Sequence, residues 1–525
     1  MALWERSLLV IAVSSLYALL CVLCAWQFRR RNSHVLPLLD GGGNSAASSV
    51  LVAYASQSGV ALALAQHSAS ALQAVGPVRV LPLDRVTDDV LAATEHAFFV
   101  ASTYGEGEPP DNGNRFARKY LNSHSEQFTH LKYAVLALGD SAYQHFCAFG
   151  HQLHHGLSGH GAVAAFAPLE LDGNNVSARA DTMQRWYQQL QQFGADLPSE
   201  LDPAVQSEYR PWRLVSRQVL NVGSVGEPLV HVKLTAPQGG SSDLSADSVH
   251  WQAGDIAEVI PRNSIKCCEK FIDKYRLNGN TELLIQGEPR TLIDELSRRD
   301  LTANTLAGPK GDDHNAISEW LIQLPLLSKR DYSIASIEQD GSLDLLVRVQ
   351  CANGMPGVAS NYLGTQLHIA DTLLLRLRSN PMFHAPAPTT PLILIGNGSG
   401  FAGLRAHLQA RKLSGSRDNW LMFGERSPTA DRIFRDEISA LQNSGYLPRI
   451  DLTFSRCANQ PAYVQDAILV NAEPLKAWVA TGAAIYVCGS REGMAEGVDR
   501  QLRYVLGDDC VDALSDAGLY RRDVY

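Results

Sequence analysis

Six stretches of this chain carry residues whose types and spacing could do chemistry on a flat, phosphorylated ligand. SQSGVA (56–61) is a turn of small, hydroxylated residues entering a helix. Free backbone N–H groups and the helix dipole at such a turn can hold a phosphate, with Ser56 and Ser58 adding hydroxyl donors. STYGEGEPPDN (102–112) and LGDSAYQHFCAFG (138–150) each place one aromatic, Tyr104 and Tyr143, on a loop, where two rings could sandwich a planar group. KRDYSIAS (329–336) puts Arg330 and Tyr332 two apart, so in a strand a phosphate-pairing cation and a stacking ring share one face. GVASNYL (357–363) offers small residues opening a helix, as a pyrophosphate requires. GNGSGFAG (396–403) has the G-x-G-x-x-G spacing at Gly398, Gly400 and Gly403, following an apolar PLILI run.

The surrounding elements must hold these loops at one edge. VLVAYAS (50–56) reads as a buried strand and Leu62 to Val75 as a helix. VRVLPL, AFFVAST and KYAVLALG (132–139) read as further strands. Strands alternating with helices imply a doubly wound parallel sheet, whose ligands sit beyond the carboxyl ends of the strands, where these loops fall. ADLPSELDPAVQSEY (195–209) reads as a hinge. After Trp212 the runs become short and β-rich, as in an antiparallel barrel, and from about Pro391 the βαβ pattern returns. MFGERS (422–427) then ends a strand with Arg426, and FSRCANQPAYVQD (454–466) supplies Ser455, Arg456, Tyr463 and Gln465. Arginine and serine side chains there could pair with a phosphate group.

The first three loops together resemble the flavodoxin-like domain of the diflavin reductases, the family that includes sulfite reductase flavoproteins and NADPH–cytochrome reductases. The resemblance runs from residue 50 to 525. It implies an FMN site in which Ser56, Gln57, Ser58, Gly59 and Ala61 hold the phosphate, and Ser102, Thr103, Tyr104 and Gly105 line one side of the ring. Leu138, Gly139, Tyr143, His145 and Phe146 form the second wall, and Asp172 reaches the ribityl chain. Val60 and Cys147 depart from the family, which usually has threonine and asparagine there. The later signatures resemble ferredoxin–NADP reductase-like domains. FAD is then assigned to Arg330, Tyr332, Ser333, Gly357, Val358, Ala359 and Ser360, and NADPH to Gly396, Gly398, Gly400, Arg426, Ser455, Arg456, Tyr463 and Gln465. Ala462 stands where relatives commonly have lysine. Ser333, Cys488 and Asp523 match the polar trio that orients the nicotinamide, and the terminal Tyr525 matches an aromatic lid over FAD.

Composition fits this picture. The chain has 525 residues, 45% hydrophobic and 19% charged, which is too long for one ordinary core. A net charge of -9 argues against nucleic-acid binding. The nine cysteines show no metal-ligand spacing outside the N-terminal segment. His151, His154 and His155 read as an exposed helical face, so no metal is expected. The uncharged run 7–28, followed by Arg29, Arg30 and Arg31, reads as a transmembrane helix with the catalytic domains on the cytoplasmic side of an inner or plasma membrane.

The expected organisation is therefore an anchor (7–28), a tether (29–49), a flavodoxin-like domain (50–195) and a hinge (196–211). An FAD-binding barrel (212–389) follows, with a short helical insert at about 263–327, and then an NADPH-binding domain (390–525). The expected activity is electron transfer from NADPH through FAD and FMN to a one-electron acceptor, a haem or iron protein that the anchor implies is in, or comes to, the membrane. The alternatives are reduction of a small acceptor (flavin, quinone or ferric chelate) and a non-catalytic flavin-binding sensor.

Overall fold

The computed structural model describes residues 50–525 except 57–58, 105–106, 122–125, 142–144, 174–175, 199–208, 237–248, 286–287, 302–307, 310–313, 353–354 and 458–460. The first layer is a parallel sheet of β1 (Val50–Ala55), β2 (Val78–Pro82), β3 (His96–Ser102), β4 (Lys132–Gly139), β5 (Val163–Ala164) and β6 (Leu169–Asp172). Its order is β2-β1-β3-β4-β5, with β6 beside the second half of β4. This is the flavodoxin-like order, in which the connection reverses between β1 and β3 and leaves a crevice there. Both faces are covered by helices, so β1, β3 and β4 are almost continuously apolar. Trp186, Tyr187 and Leu190 of the helix Val176–Gln191 close one face. Phe149, Leu153 and Leu157 of the helix Ala148–Gly159 close the other.

A second sheet is antiparallel and contains β7 (Arg210–Val219), β8 (Leu229–Thr235), β9 (Ile256–Val259), β12 (Arg330–Ser333), β13 (Leu343–Arg348) and β16 (Thr372–Arg378). Its order is β12-β9-β16-β7-β8-β13. A bridge between Ile334 and Leu345 joins the two outer strands, which closes the sheet on itself. Between β9 and β12 lies a small cluster with its own core, built from the helices Ile265–Tyr275, Leu292–Ser297 and His314–Ile322. It also contains a hairpin of β10 (Glu282–Ile285) and β11 (Glu288–Thr291), an element that the sequence did not suggest. A further two-stranded hairpin, β14 (Cys351–Ala352) with β15 (Met355–Pro356), precedes the helix Val358–Asn361.

The third sheet is parallel, with order β19-β18-β17-β20-β21 for β17 (Leu392–Asn397), β18 (Asn419–Glu425), β19 (Arg449–Phe454), β20 (Ala484–Gly489) and β21 (Tyr520–Val524). Its connection reverses between β17 and β20, where the glycine-rich turn lies. One hydrophobic cluster runs from the barrel into this sheet: Leu229, Ala335, Leu346 and Phe383 pack with Leu392, Phe401, Phe423 and Cys488.

The expected membrane span at 7–28 lies outside the described residues. Among the described residues no helix is long and apolar enough to cross a membrane. A span needs about 20 apolar residues, and the helix Val176–Gln191 has 16 and is rich in glutamine and charge. The expectation of a single-pass inner- or plasma-membrane protein with cytoplasmic domains, and of a lipid bilayer as partner, is corrected accordingly.

Candidate functional site

The carboxyl ends of the first and third sheets and one side of the barrel border a single cavity of about 1470 Å³. That exceeds the roughly 300–1,000 Å³ of an ordinary small-molecule pocket. Its flavodoxin-side wall includes Gly59, Ser102, Thr103, Tyr104, Leu138, Gly139, His145 and Phe146. Gly59 has φ +83° and caps the helix Val60–Leu72, a conformation that its lack of a Cβ permits. At Gly139 a Cβ would meet the backbone nitrogen of Cys147 at 2.7 Å, so only glycine lets the two ends of the 138–150 loop close on each other. Cys147 is itself buried with φ 54°, its thiol donating to the Ala137 carbonyl at 3.3 Å. Burial pushes that thiol up to about 12, so it is not a reactive thiolate.

Two residues singled out on this side, Ala61 and Asp172, do not line the cavity. Ala61 is in the core beneath the helix. Asp172 accepts the Ser141 N–H at 3.2 Å. Ser56 is buried and donates its N–H to Asn112 Oδ1 at 3.0 Å. Ser56 Oγ and Asn112 Nδ2 are buried with no hydrogen-bond partner among the described residues. Such atoms are costly to leave bare, and a phosphate at the helix entrance would satisfy them. Gln57, Ser58, Gly105 and Tyr143 lie outside the described residues. In the histidine run, His151 pairs with Glu170 at 2.8 Å and His154 Nδ1 lies 2.9 Å from Tyr133 Oη.

The barrel side of the cavity includes Arg330, Tyr332 and Ser333 from β12, and Gly357, Val358, Ala359 and Ser360 at the entry to the helix Val358–Asn361. Behind them Glu258, 5% exposed, pairs with Arg376 at 2.8 Å and Arg378 at 3.4 Å, while Arg378 also reaches Asp331 at 2.7 Å. These two arginines, with Arg348, line the same cavity and were not anticipated. A charge ending an apolar strand, as in LDLLVR, is the one sign that could have flagged Arg348.

Ser333 and Asp523 line the cavity, and Cys488, fully buried, lies against them. Ser333 Oγ donates to Asp523 Oδ2 at 2.6 Å, and Cys488 Sγ lies 3.8 Å from that oxygen and 4.0 Å from Ser333 Oγ. The parallel register of β20 and β21 sets Cys488 beside Asp523, and β12 delivers Ser333 from the barrel. Burial raises the Asp523 carboxyl to about 6, against the lowering effect of the Ser333 hydroxyl. Burial and the neighbouring Asp523 raise the Cys488 thiol well above its ordinary value, so it stays protonated.

The glycines after β17 pack around Cys488. A Cβ on Gly396 or Gly400 would fall 2.3 or 2.1 Å from the Cys488 carbonyl oxygen, and one on Gly403 would lie 3.1 Å from its sulfur. Close passage of β20 is thus the demand these residues meet. Ser399 and Ala402 of the same turn, and not the glycines, line the cavity. Tyr525 is 56% exposed, and its hydroxyl lies 3.1 Å from Ser399 Oγ. Its backbone is tied to Gly489 and Arg491 at 3.1 and 3.0 Å. Arg426, Ser455 and Arg456 come together because the Ser455 and Arg456 N–H groups bond the carbonyls of Glu425 and Arg426 at 2.9 Å. Tyr463 is exposed and leads into the helix Val464–Val470, which carries Gln465.

The flavodoxin side meets the third sheet directly. Tyr104 donates its hydroxyl to the Val524 carbonyl, Asp111 pairs with Arg522, and Glu108 pairs with Arg491. Arg115 reaches Asp516 at 2.6 Å, and Arg118 reaches Asp512 at 3.3 Å.

Residues 52–186 match the Flavodoxin family, and residues 394–500 match the Oxidoreductase NAD-binding domain. The chain is 28% identical over 572 aligned residues to the sulfite reductase [NADPH] flavoprotein alpha-component of Vibrio cholerae, covering 95% of this chain and 92% of that protein. It is 29% identical to the Yersinia enterocolitica protein of the same name (81% of each) and 26% identical to that of Bacillus subtilis (90% and 87%). A flavodoxin domain, an NAD-binding oxidoreductase domain and a likeness spanning both make the chain an NADPH-dependent flavoprotein reductase. Its cofactors are FMN, FAD and NADPH.

Proposed function

We propose that the chain is a diflavin relay, drawing electron pairs from NADPH and delivering single electrons to a separate protein that carries a haem or iron centre. The observation that carries this reading is the continuity of the cavity, whose lining runs from Tyr104 through Ser333 to Tyr525. Relatives named as one component of sulfite reductase support a protein acceptor. The two flavins, when bound, supply the conversion of a two-electron donor into one-electron steps.

The chain's own residues do the rest. The N–H groups at Gly59 and the hydroxyl of Ser56 bind the FMN phosphate, with Tyr104 against one side of its ring. Arg330, Tyr332 and the helix entrance at Gly357 to Ser360 hold FAD. Tyr525, in the lining of the same cavity, would cover FAD and would yield to the nicotinamide. Asp523, ionised and oriented by Ser333, stabilises the positive charge that develops on the nicotinamide as it is oxidised. Cys488, kept as a neutral thiol against Ser333 and Asp523, would add no competing charge there. Arg426, Ser455 and Arg456 receive the 2′-phosphate, with Tyr463 and Gln465 beside the adenosine end. The working division is a flavodoxin domain (50–195), an FAD-binding barrel (212–389) and a nucleotide domain (390–525).

The test compares a haem-protein acceptor with a two-electron quinone. Tyr104→Ala should weaken FMN retention about tenfold, the order expected for losing one stacked ring. Haem-protein reduction should fall with it and quinone reduction should not. Equal loss of both activities would contradict the relay and favour a simple reductase.

A further inference from the structure

The turn between β7 and β8 lies outside the cavity, yet it is fastened to the loop that follows β18. Asn221, 4% exposed, donates through Nδ2 to the Glu227 carbonyl at 3.1 Å and to Asp431 Oδ1 at 3.3 Å. Its Oδ1 accepts the Leu229 N–H at 2.6 Å, which locks the turn to its own strand. Asp431 accepts the Ser427 N–H at 3.0 Å through its other oxygen. Arg348 bridges the same two segments, donating to the Glu227 carbonyl at 3.0 Å and pairing with Glu425 at 3.1 Å. Arg426 is therefore flanked on both sides by residues clamped to the barrel.

Its guanidinium lies across Gly226. A Cβ at Gly226 would stand 1.7 Å from Arg426 Nη1, 2.8 Å from Cζ and 3.1 Å from Cδ. The backbone does not demand glycine here. Gly223 in the same turn has φ +82°, whereas Gly226 is absent from the left-handed region. What glycine supplies at 226 is room. Any side chain would displace the arginine head, and a planar fork that binds phosphate through paired N–H groups tolerates little displacement.

We propose that Gly226 is a positioning residue for coenzyme selectivity: by having no side chain, it lets this turn of the barrel seat Arg426 where the 2′-phosphate of NADPH is read. The inference rests on the reading of Arg426 as a phosphate ligand. Selectivity would then be set jointly by the nucleotide domain and the barrel.

Steady-state kinetics of the full, flavin-loaded chain with NADPH and with NADH test it, using Gly226→Ala, Arg426→Ala and the double variant. Gly226→Ala should raise the KM for NADPH about tenfold, as for one charge-assisted contact, with kcat and the KM for NADH unchanged. In the double variant Gly226→Ala should add no loss to that of Arg426→Ala. The inference is overturned if Arg426→Ala loses the NADPH preference but Gly226→Ala leaves it intact. It is also overturned if Gly226→Ala weakens both coenzymes equally, or if the two losses add. If Arg426→Ala itself keeps the preference, the assignment of Arg426 fails instead.

Discussion

The seam between the barrel and the third sheet and the seam between the flavodoxin region and the third sheet are built from different materials. The first is a hydrophobic core: Phe383, fully buried, lies 5.2 Å from the Tyr486 ring and 5.1 Å from the His407 ring. The second is made of ion pairs. Arg115 and Asp516 are 51% and 37% exposed, and Arg118 and Asp512 are 54% and 33% exposed. Among the described residues, Tyr104 is the one from the flavodoxin region that packs against a core of the third sheet. Apolar burial is strong and insensitive to salt, whereas half-exposed charge pairs contribute little each and are screened. The contrast teaches that the Ser333–Cys488–Asp523 junction sits on a fixed seam, and that the flavodoxin contact is the weaker of the two.

Phe383→Ala should have the largest effect. It should cost about 3–5 kcal/mol, as for a buried aromatic, and lower a single calorimetric transition shared by the barrel and the third sheet. Two separate transitions for those regions would break the comparison. Asp523→Asn comes next, slowing NADPH-driven flavin reduction about 100-fold, the scale of one lost electrostatic contact to developing charge. In the unmodified protein that rate should rise with pH through about 6, where the buried Asp523 carboxyl ionises. The variant should lose the inflection. The same raised value has a stability consequence with the opposite slope. The stabilisation from the protonated form is present below the ordinary 3.8 and is lost as pH rises through about 6. Arg522→Ala, which removes the partner of Asp111, should weaken the flavodoxin seam by about 1 kcal/mol. Limited proteolysis of the full chain would read this as faster release of the flavodoxin region. Arg115→Ala should cost less, about 0.5 kcal/mol, and added salt above about 0.1 M should mask it. A salt-insensitive flavodoxin seam would contradict the reading of that interface.

Much of this arrangement was legible because it is local. The loops at 56–61, 102–112 and 138–150 announce themselves by turn residues between apolar runs, and parallel strands bring such loops to one edge. KRDYSIAS and the C-terminal GLYRRDVY are likewise short signatures. Other features leave no such trace. The pairing of Arg115 with Asp516 spans the chain, and charged residues on exposed faces carry no periodicity that names a partner. The β10–β11 hairpin lies in a stretch whose helices dominate the pattern. The G-x-G-x-x-G spacing left open a dinucleotide site or simple close packing, and Gly396, Gly400 and Gly403 answer first to the close passage of Cys488. A spacing rule cannot separate these two demands, since both ask for a missing Cβ. The apolar run at 7–28 and the three arginines after it illustrate the reverse hazard: they lie outside the described residues, and the localisation read from them has no support among the described ones.

The most direct test of the relay is an anaerobic NADPH titration of the purified protein, after counting the flavins released on denaturation. One FAD and one FMN per chain, with about two equivalents of NADPH needed for complete bleaching, is the predicted result. FAD alone, bleached by a single equivalent, would contradict it.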